Sequence, residues 1–271
     1  MSQYKIKYKI EAGTGQHIGN RSEQHDRVTL MTTKSAPGYV LAALADGLSG
    51  HQGGKMAAEQ VMHTIKQLFD MYNPQRTSLT QLLHNIVSEA HTMIKLLGIS
   101  SKSDQNSTLV ILVLSPEGQA IWAHVGDSRL YRFQGKQFID HTSDEAYIES
   151  LLLDGKLSRE AAKNHRKSAI LVNALGSNLR EPFITIGEQS ELAPGMSFLL
   201  CSDGLWHYFA DNELGAAVSL KTPREASEML IEKAQERAKG NGDNCSLVIV
   251  KLVKLPEEDL GYKVEKLRRA V

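Results

Sequence analysis

The chain predicts an α+β fold in which antiparallel sheets are covered by helices. Apolar runs of strand length do not alternate one for one with helical stretches, as a parallel βαβ protein would require. Two long amphipathic stretches follow one another directly in sequence. After them, apolar runs return in pairs separated by turn residues, the pattern of hairpins.

The elements follow in order. Tyr39 to Ala45 is a continuous apolar run ending at Asp46-Gly47, and it reads as a buried strand. Val28 to Thr33 is its partner across a Pro37-Gly38 turn. From Gly53 to Tyr72 the period becomes helical through Met56, Ala57, Val61, Ile65, Leu68 and Phe69. A second helix runs from Ser78, a fair N-cap, to Leu97, with Gly98 as its expected stop. Ser107 to Leu114 and Ala120 to Val125 form a hairpin around Pro116-Glu117-Gly118. Leu130 to Phe133 continues as strand, and Gly135-Lys136 turns. Residues 142–174 look helical and polar, interrupted by Gly155. Phe183 to Gly187, Ser197 to Cys201 and Cys245 to Val253 are further strands. A helix from Pro223 to Lys239 begins at Thr222-Pro223 and stops at Gly240. No repeat or linker divides the chain. One domain over 1–254 is expected, followed by a charged tail, 255–271, that can form a terminal helix.

Composition narrows the function. At 271 residues, 41% hydrophobic and 23% charged, the chain can bury a large core. Its 31 basic and 31 acidic residues cancel, which argues against a general nucleic-acid or anionic-membrane binder. Cys201 and Cys245 both sit in apolar runs and read as buried core residues. No apolar h-region marks the N-terminus, and no run approaches the ~18 apolar residues of a membrane span. A cytoplasmic, monomeric protein is the expectation.

Aspartates beside glycine or asparagine recur at strand ends: Ala45-Asp46-Gly47, Gly126-Asp127-Ser128-Arg129, Ser202-Asp203-Gly204 and Asp243-Asn244. Each alone is most often a plain turn. Together they offer the carboxylates that a cluster of hard divalent cations needs. No Gly-Lys-Ser/Thr follows Gly53-Gly54, which excludes a P-loop.

Read in order with Gly19-Asn20-Arg21-Ser22-Glu23-Gln24-His25-Asp26, Ser107-Thr108, Ala174-Leu175-Gly176 and Asp203-Gly204-Leu205-Trp206, these motifs resemble the metal-dependent protein phosphatases (the PPM or PP2C-like family) in their compact bacterial form. The resemblance covers residues 10 to 253. It implies a four-layer αββα sandwich: two antiparallel sheets with a helix pair on each outer face. Residues 142–174 match the family's flap.

The resemblance also implies an activity, hydrolysis of phosphoserine and phosphothreonine in proteins by a metal-bridging hydroxide. Two Mn2+ or Mg2+ ions would serve it, with a weaker third. Asp46 matches the aspartate shared by the two ions, and Gly47 the glycine that offers a backbone carbonyl. Asp203, Asp243 and Asp26 match further members of the metal set, Asp127 a ligand of the third ion, and Arg21 the arginine that grips the phosphate. The donor chemistry agrees, since Mg2+ and Mn2+ take carboxylate, carbonyl and water, and an arginine fork fits phosphate bidentately. His51, in a glycine-rich loop, is open between proton donor, helix-start residue and substrate contact.

The chain departs from the family at His25, where Glu or Gln is usual, and at His207, where Asp is usual and helps hold the third ion. His25, His207 and Asn244 stand between ligand and supporting cleft-wall residue. The partners implied are phosphorylated proteins and an opposing serine/threonine kinase. The alternatives are a catalytically weak or inactive module that keeps the fold for regulation or binding, and a phosphatase for phosphotyrosine or small phosphoesters.

Overall fold

The computed structural model describes residues 8–48, 52–101, 104–143, 151–155 and 173–255. His51, most of the flap and the charged tail lie outside them.

Two antiparallel five-stranded sheets face one another. The first has the order β1 (Tyr8–His17), β10 (Cys245–Lys254), β9 (Met196–Cys201), β6 (Arg129–Gln134), β7 (Gln137–His141). The second runs β2 (Arg27–Thr32), β3 (Val40–Ala45), β4 (Leu109–Leu114), β5 (Ala120–Val125), β8 (Thr185–Gln189).

Helices α1 (Gln52–Asp70) and α2 (Leu79–Ser101) cover the outside of the second sheet. The short α3 (Asp203–Trp206), with α4 (Asp211–Leu220) and α5 (Pro223–Ala238), covers the outside of the first. This is the four-layer sandwich expected from the resemblance. Among the described residues no helix is long and apolar enough to cross a membrane.

The central strands are continuous apolar runs because both of their faces are covered. On β3, Leu41, Ala43 and Ala45 pack under α1 and α2, while Ala42 and Leu44 point between the sheets. On β10, Leu247 and Ile249 face the other helix layer, and Val248, Val250 and Leu252 face inward. Each fully buried leucine or isoleucine contributes roughly 1.5–3 kcal/mol relative to exposure. Cys201 and Cys245 are buried and free, as expected.

The structure differs from the sequence reading in several elements. Helix α2 does not stop at Gly98 but runs to Ser101. Ser100 and Ser101 turn their hydroxyls back onto the Leu96 and Leu97 carbonyls, which extends the last turn. Strands β1 and β7 and helices α3 and α4 were not anticipated. Gly13 and Gly15 weaken the strand signal of β1, yet a Cβ at Gly13 would lie 2.8 Å from the Pro223 carbonyl carbon. Their bareness lets α5 lie against the strand. Strand β7 is mostly polar because it is a sheet edge. Within 142–174, the described residues 151–153 are helical, as expected, while 173 and 174 carry no helix and lead into the Leu175 bridge to Ser107. Ser78 does cap α2, accepting the Gln81 N–H. Thr222 and Glu225 form a reciprocal capping box at the start of α5.

Candidate active site

Four segments end at one edge of the sandwich: β3 at Asp46-Gly47, β5 just before Asp127, β9 just before Asp203, and β10 just after Asp243 and Asn244. In an antiparallel sheet the C-termini of alternate strands, here β3 and β5, share an edge, and so do the C-terminus of one strand and the N-terminus of its neighbour, here β9 and β10. A cavity of about 460 Å³ opens there, lined by Arg21, Glu23, His25, Asp46, Gly47, Asp203 and Asp243 among others.

Asp46 is held by its backbone. Its N–H donates to Thr108 Oγ1 (3.0 Å), and its carbonyl accepts from the Thr108 N–H (2.8 Å) and the Ser107 hydroxyl (3.1 Å). Asp46 lines the cavity. Burial, then the charges of Asp26, Asp203, Asp127 and Asp243, push its pKa well above the usual carboxylate range. Asp203 is raised to about 7, by burial first and then by Asp127, Asp243 and Asp26. A cluster of this kind resists ionisation unless a cation joins it.

Asp26 lies behind this pair, fully buried. Ser202 donates to its Oδ2 (2.8 Å), and the same hydroxyl accepts the Ser246 N–H (3.0 Å). Its Oδ1 is buried with no hydrogen-bond partner. Burial dominates the upward shift of its pKa. A buried carboxylate oxygen left unpartnered among other carboxylates fits a divalent cation or its water ligands.

Asp243 is engaged from two sides. Its Oδ2 accepts Arg21 Nη2 at 2.6 Å, and its Oδ1 accepts the Asn244 N–H at 2.7 Å. Among the described residues no three His, Cys, Asp or Glu side chains close into a finished metal-holding cluster. The donor set nevertheless fits: aspartate carboxylates and the Gly47 carbonyl are the oxygen ligands that Mg2+ and Mn2+ take.

Asn244 has a supporting geometry. Its Oδ1 accepts the His25 N–H (2.7 Å), and its Nδ2 donates to the Ile18 and Glu23 carbonyls (2.8 and 3.0 Å). It staples the loop carrying Arg21 to the start of β10. His25 Nε2 stands 3.6 Å from Glu23 Oε2, and neither atom makes a hydrogen bond. Sequence reading had not singled out Glu23. An acidic residue two positions from His25 was the available signal.

Asp127 sits exposed at the rim. The Trp206 indole N–H donates to its backbone carbonyl at 3.1 Å, and the Arg129 guanidinium lies 3.6 Å from the centre of the same ring. His207 caps α3, half exposed, with Nδ1 3.7 Å from Asp203 Oδ2. Burial lowers its pKa, with Asp127 opposing. His207 thus borders the side of Asp203 that Asp127 approaches.

The family model described as protein phosphatase 2C matches residues 13–239. The serine/threonine protein phosphatase PstP of Mycobacterium tuberculosis is 27% identical over 216 residues, covering 80% of this chain and 41% of PstP, so the chain spans less than half of that relative. The serine/threonine phosphatase Stp of Listeria monocytogenes is 29% identical over 234 residues, covering 82% of this chain and 86% of Stp. A crystal structure of the PstP catalytic domain in complex with two manganese ions superposes with a TM-score of 0.69 at 24% identity, covering 90% of this chain and 99% of that one.

Proposed function

The chain belongs to the protein phosphatase 2C family, and from that membership we propose that it is a metal-dependent phosphatase of phosphoserine and phosphothreonine in proteins. One observation carries the reading beyond membership. Asp46, Asp203 and Asp243 line one cavity beside Arg21, with the unpartnered Oδ1 of Asp26 buried behind them.

Asp46, Asp203 and Asp243, with the Gly47 carbonyl, would hold two divalent cations, and Mn2+ or Mg2+ would suit them. Bound there, such ions supply Lewis-acid charge and an activated water. Asp26 orders the inner edge of that centre, with Ser202 and Ser246 fixing its carboxylate. Asp127, Asp203 and His207 mark the region of a weaker third ion.

Arg21 binds and orients the phosphate. Its ion pair with Asp243 is exposed, with side chains 61% and 40% accessible. Such a pair is worth roughly 0–1 kcal/mol, so a dianionic phosphate displaces it at little cost. The exchange would release the Asp243 carboxylate and offer the guanidinium fork two phosphate oxygens. Glu23 and His25 line the same cavity, and a protonated His25 or Glu23 there would give the leaving serine or threonine oxygen its proton. Phosphorylated proteins are the substrates in this reading, and a serine/threonine kinase supplies them.

The test is release of phosphate from a phosphothreonine peptide by purified protein in Mn2+, with and without chelator. Asp46→Ala should lower the rate by at least about a thousandfold while the fold persists, since a shared ligand is worth several kcal/mol of charge stabilisation. Near-normal turnover by Asp46→Ala would refute the two-cation reading.

A further inference from the structure

His91 lies on α2, outside the cavity and outside every motif of the site. It is 3% exposed. Its Nδ1 accepts the Gly176 backbone N–H at 3.0 Å, so the ring proton is on Nε2. Nε2 faces the Glu181 carboxylate at 3.5 Å. Burial lowers the pKa of the imidazole, with Glu181 opposing and Lys95 adding to the shift.

The bond leads to the site through backbone. Leu175, next to Gly176, exchanges two hydrogen bonds with Ser107: Ser107 N–H to the Leu175 carbonyl (3.1 Å) and Leu175 N–H to the Ser107 carbonyl (2.9 Å). Ser107 also bridges Gly47, and its hydroxyl donates to the Asp46 carbonyl. Three short segments thus form a ladder, Gly47 to Ser107 to Leu175. Its inner rung carries Asp46, and its outer rung ends on His91.

Isolated single bridges are marginal without support from packing. Here the support is α2, on which Ala90 and Ile94 are fully buried around His91. Gly176 has φ +83°, and a Cβ there would meet both Ile94 Cγ2 and the Gln105 carbonyl at 2.3 Å. Only glycine lets the chain come this close to the helix and aim its N–H at the ring.

We propose that His91 is a positioning residue for the carboxylate centre: by accepting the Gly176 N–H it fixes the outer rung of the ladder, and through Leu175 and Ser107 the backbone that presents Asp46 and Gly47 to the cations. The inference rests on the metal-dependent reading above. Without the acceptor, a buried N–H is left unsatisfied, and the outer segment has reason to move toward water. The energy needed to re-order it is then subtracted from cation binding.

The test measures Mn2+ binding by calorimetry for the full chain, His91→Leu and His91→Asn, with hydrogen exchange followed at Leu175 and Gly176. Leucine keeps the apolar packing and removes the acceptor. Asparagine Oδ1 takes the place of Nδ1. His91→Leu should bind Mn2+ roughly five- to thirtyfold more weakly, the size of a typical coupling between sites. His91→Asn should recover most of that loss. At saturating Mn2+ the kcat of His91→Leu should return toward wild type with an unchanged KM for phosphopeptide, which a general loss of fold would not produce. In the wild type, Mn2+ should slow exchange at Leu175 and Gly176, because the coupling is reciprocal. This last measurement decides the matter if His91→Leu fails to fold. Equal Mn2+ affinity of wild type and a folded His91→Leu, or exchange at these amides indifferent to Mn2+, overturns the positioning role alone. A wild type that binds no Mn2+ overturns the phosphatase reading with it.

Discussion

Replacing Asp203 by asparagine should make the metal-free protein more stable while removing its stabilisation by manganese. The carboxyl of Asp203 is raised from the usual 3.8 to about 7, mainly by burial and by the charges of Asp127, Asp243 and Asp26. For an acid whose pKa is higher in the fold than in the unfolded chain, the fold binds the proton more tightly. Stability is therefore gained as pH falls through this window and lost as pH rises through it. Relative to a carboxyl protonated in both states, the metal-free fold is weaker by at most roughly 4 kcal/mol at pH 8, and by roughly 2 kcal/mol at pH 5 where the unfolded chain alone is ionised, from about 1.4 kcal/mol per pKa unit. The substituted amide carries no such cost and keeps nearly the same shape. For a domain of this size, roughly 2–4 °C per kcal/mol gives a rise of up to about 16 °C at pH 8 in chelator, shrinking at pH 5. The assay is thermal unfolding of wild type and Asp203→Asn in chelator at both pH values, then with Mn2+ added. In Mn2+ the order should reverse, since only the wild type gains binding energy. A variant less stable than wild type in chelator at pH 8, or a difference that ignores pH, would refute the reasoning.

Other expectations follow from the same geometry. Arg21→Ala should mainly raise KM for phosphopeptides, with a smaller loss in kcat, and Arg21→Lys should recover only part because it lacks the fork; unchanged steady-state kinetics would remove Arg21 from the substrate site. His207→Asp should lower the Mn2+ and Mg2+ concentrations for half-maximal activity and narrow any preference for manganese, since hard cations favour charged oxygen donors; superimposable titrations would place His207 outside the metal region. Burial raises the thiol pKa of Cys245 to about 12 and that of Cys201 well above its usual value. Both should therefore resist a maleimide in the native state and react once the chain is unfolded; rapid native labelling would contradict their burial.

The carboxylates were legible because glycine and asparagine next to aspartate, at the end of an apolar run, are local signals. Asp46, Asp203 and Asp243 stand where those signals put them, around one cavity with Arg21. The double-faced strands β3, β4 and β5 were equally plain, since burial on both sides writes an unbroken apolar run. Strand β1 was not, because Gly13 and Gly15 serve the approach of α5 rather than strand propensity. Strand β7 was not, because an edge strand keeps polar residues.

The helix–strand pattern and the donor chemistry of the site belong to the sequence, since both depend on residues near one another along the chain. Which oxygen points where depends on pairing between distant segments, and only the tertiary structure decides that. Asn244 became a staple for the Arg21 loop because β10 begins beside it. Asp26 kept Oδ1 unpartnered while Ser202, held by the Ser246 N–H, donates to its Oδ2. His91 reaches the Asp46 backbone through Gly176, Leu175 and Ser107, three residues that meet only because β3, β4 and α2 pack as neighbours. Periodicity records whether a side chain is covered, but the partner of a hydrogen bond is fixed by long-range packing, which leaves no period to read.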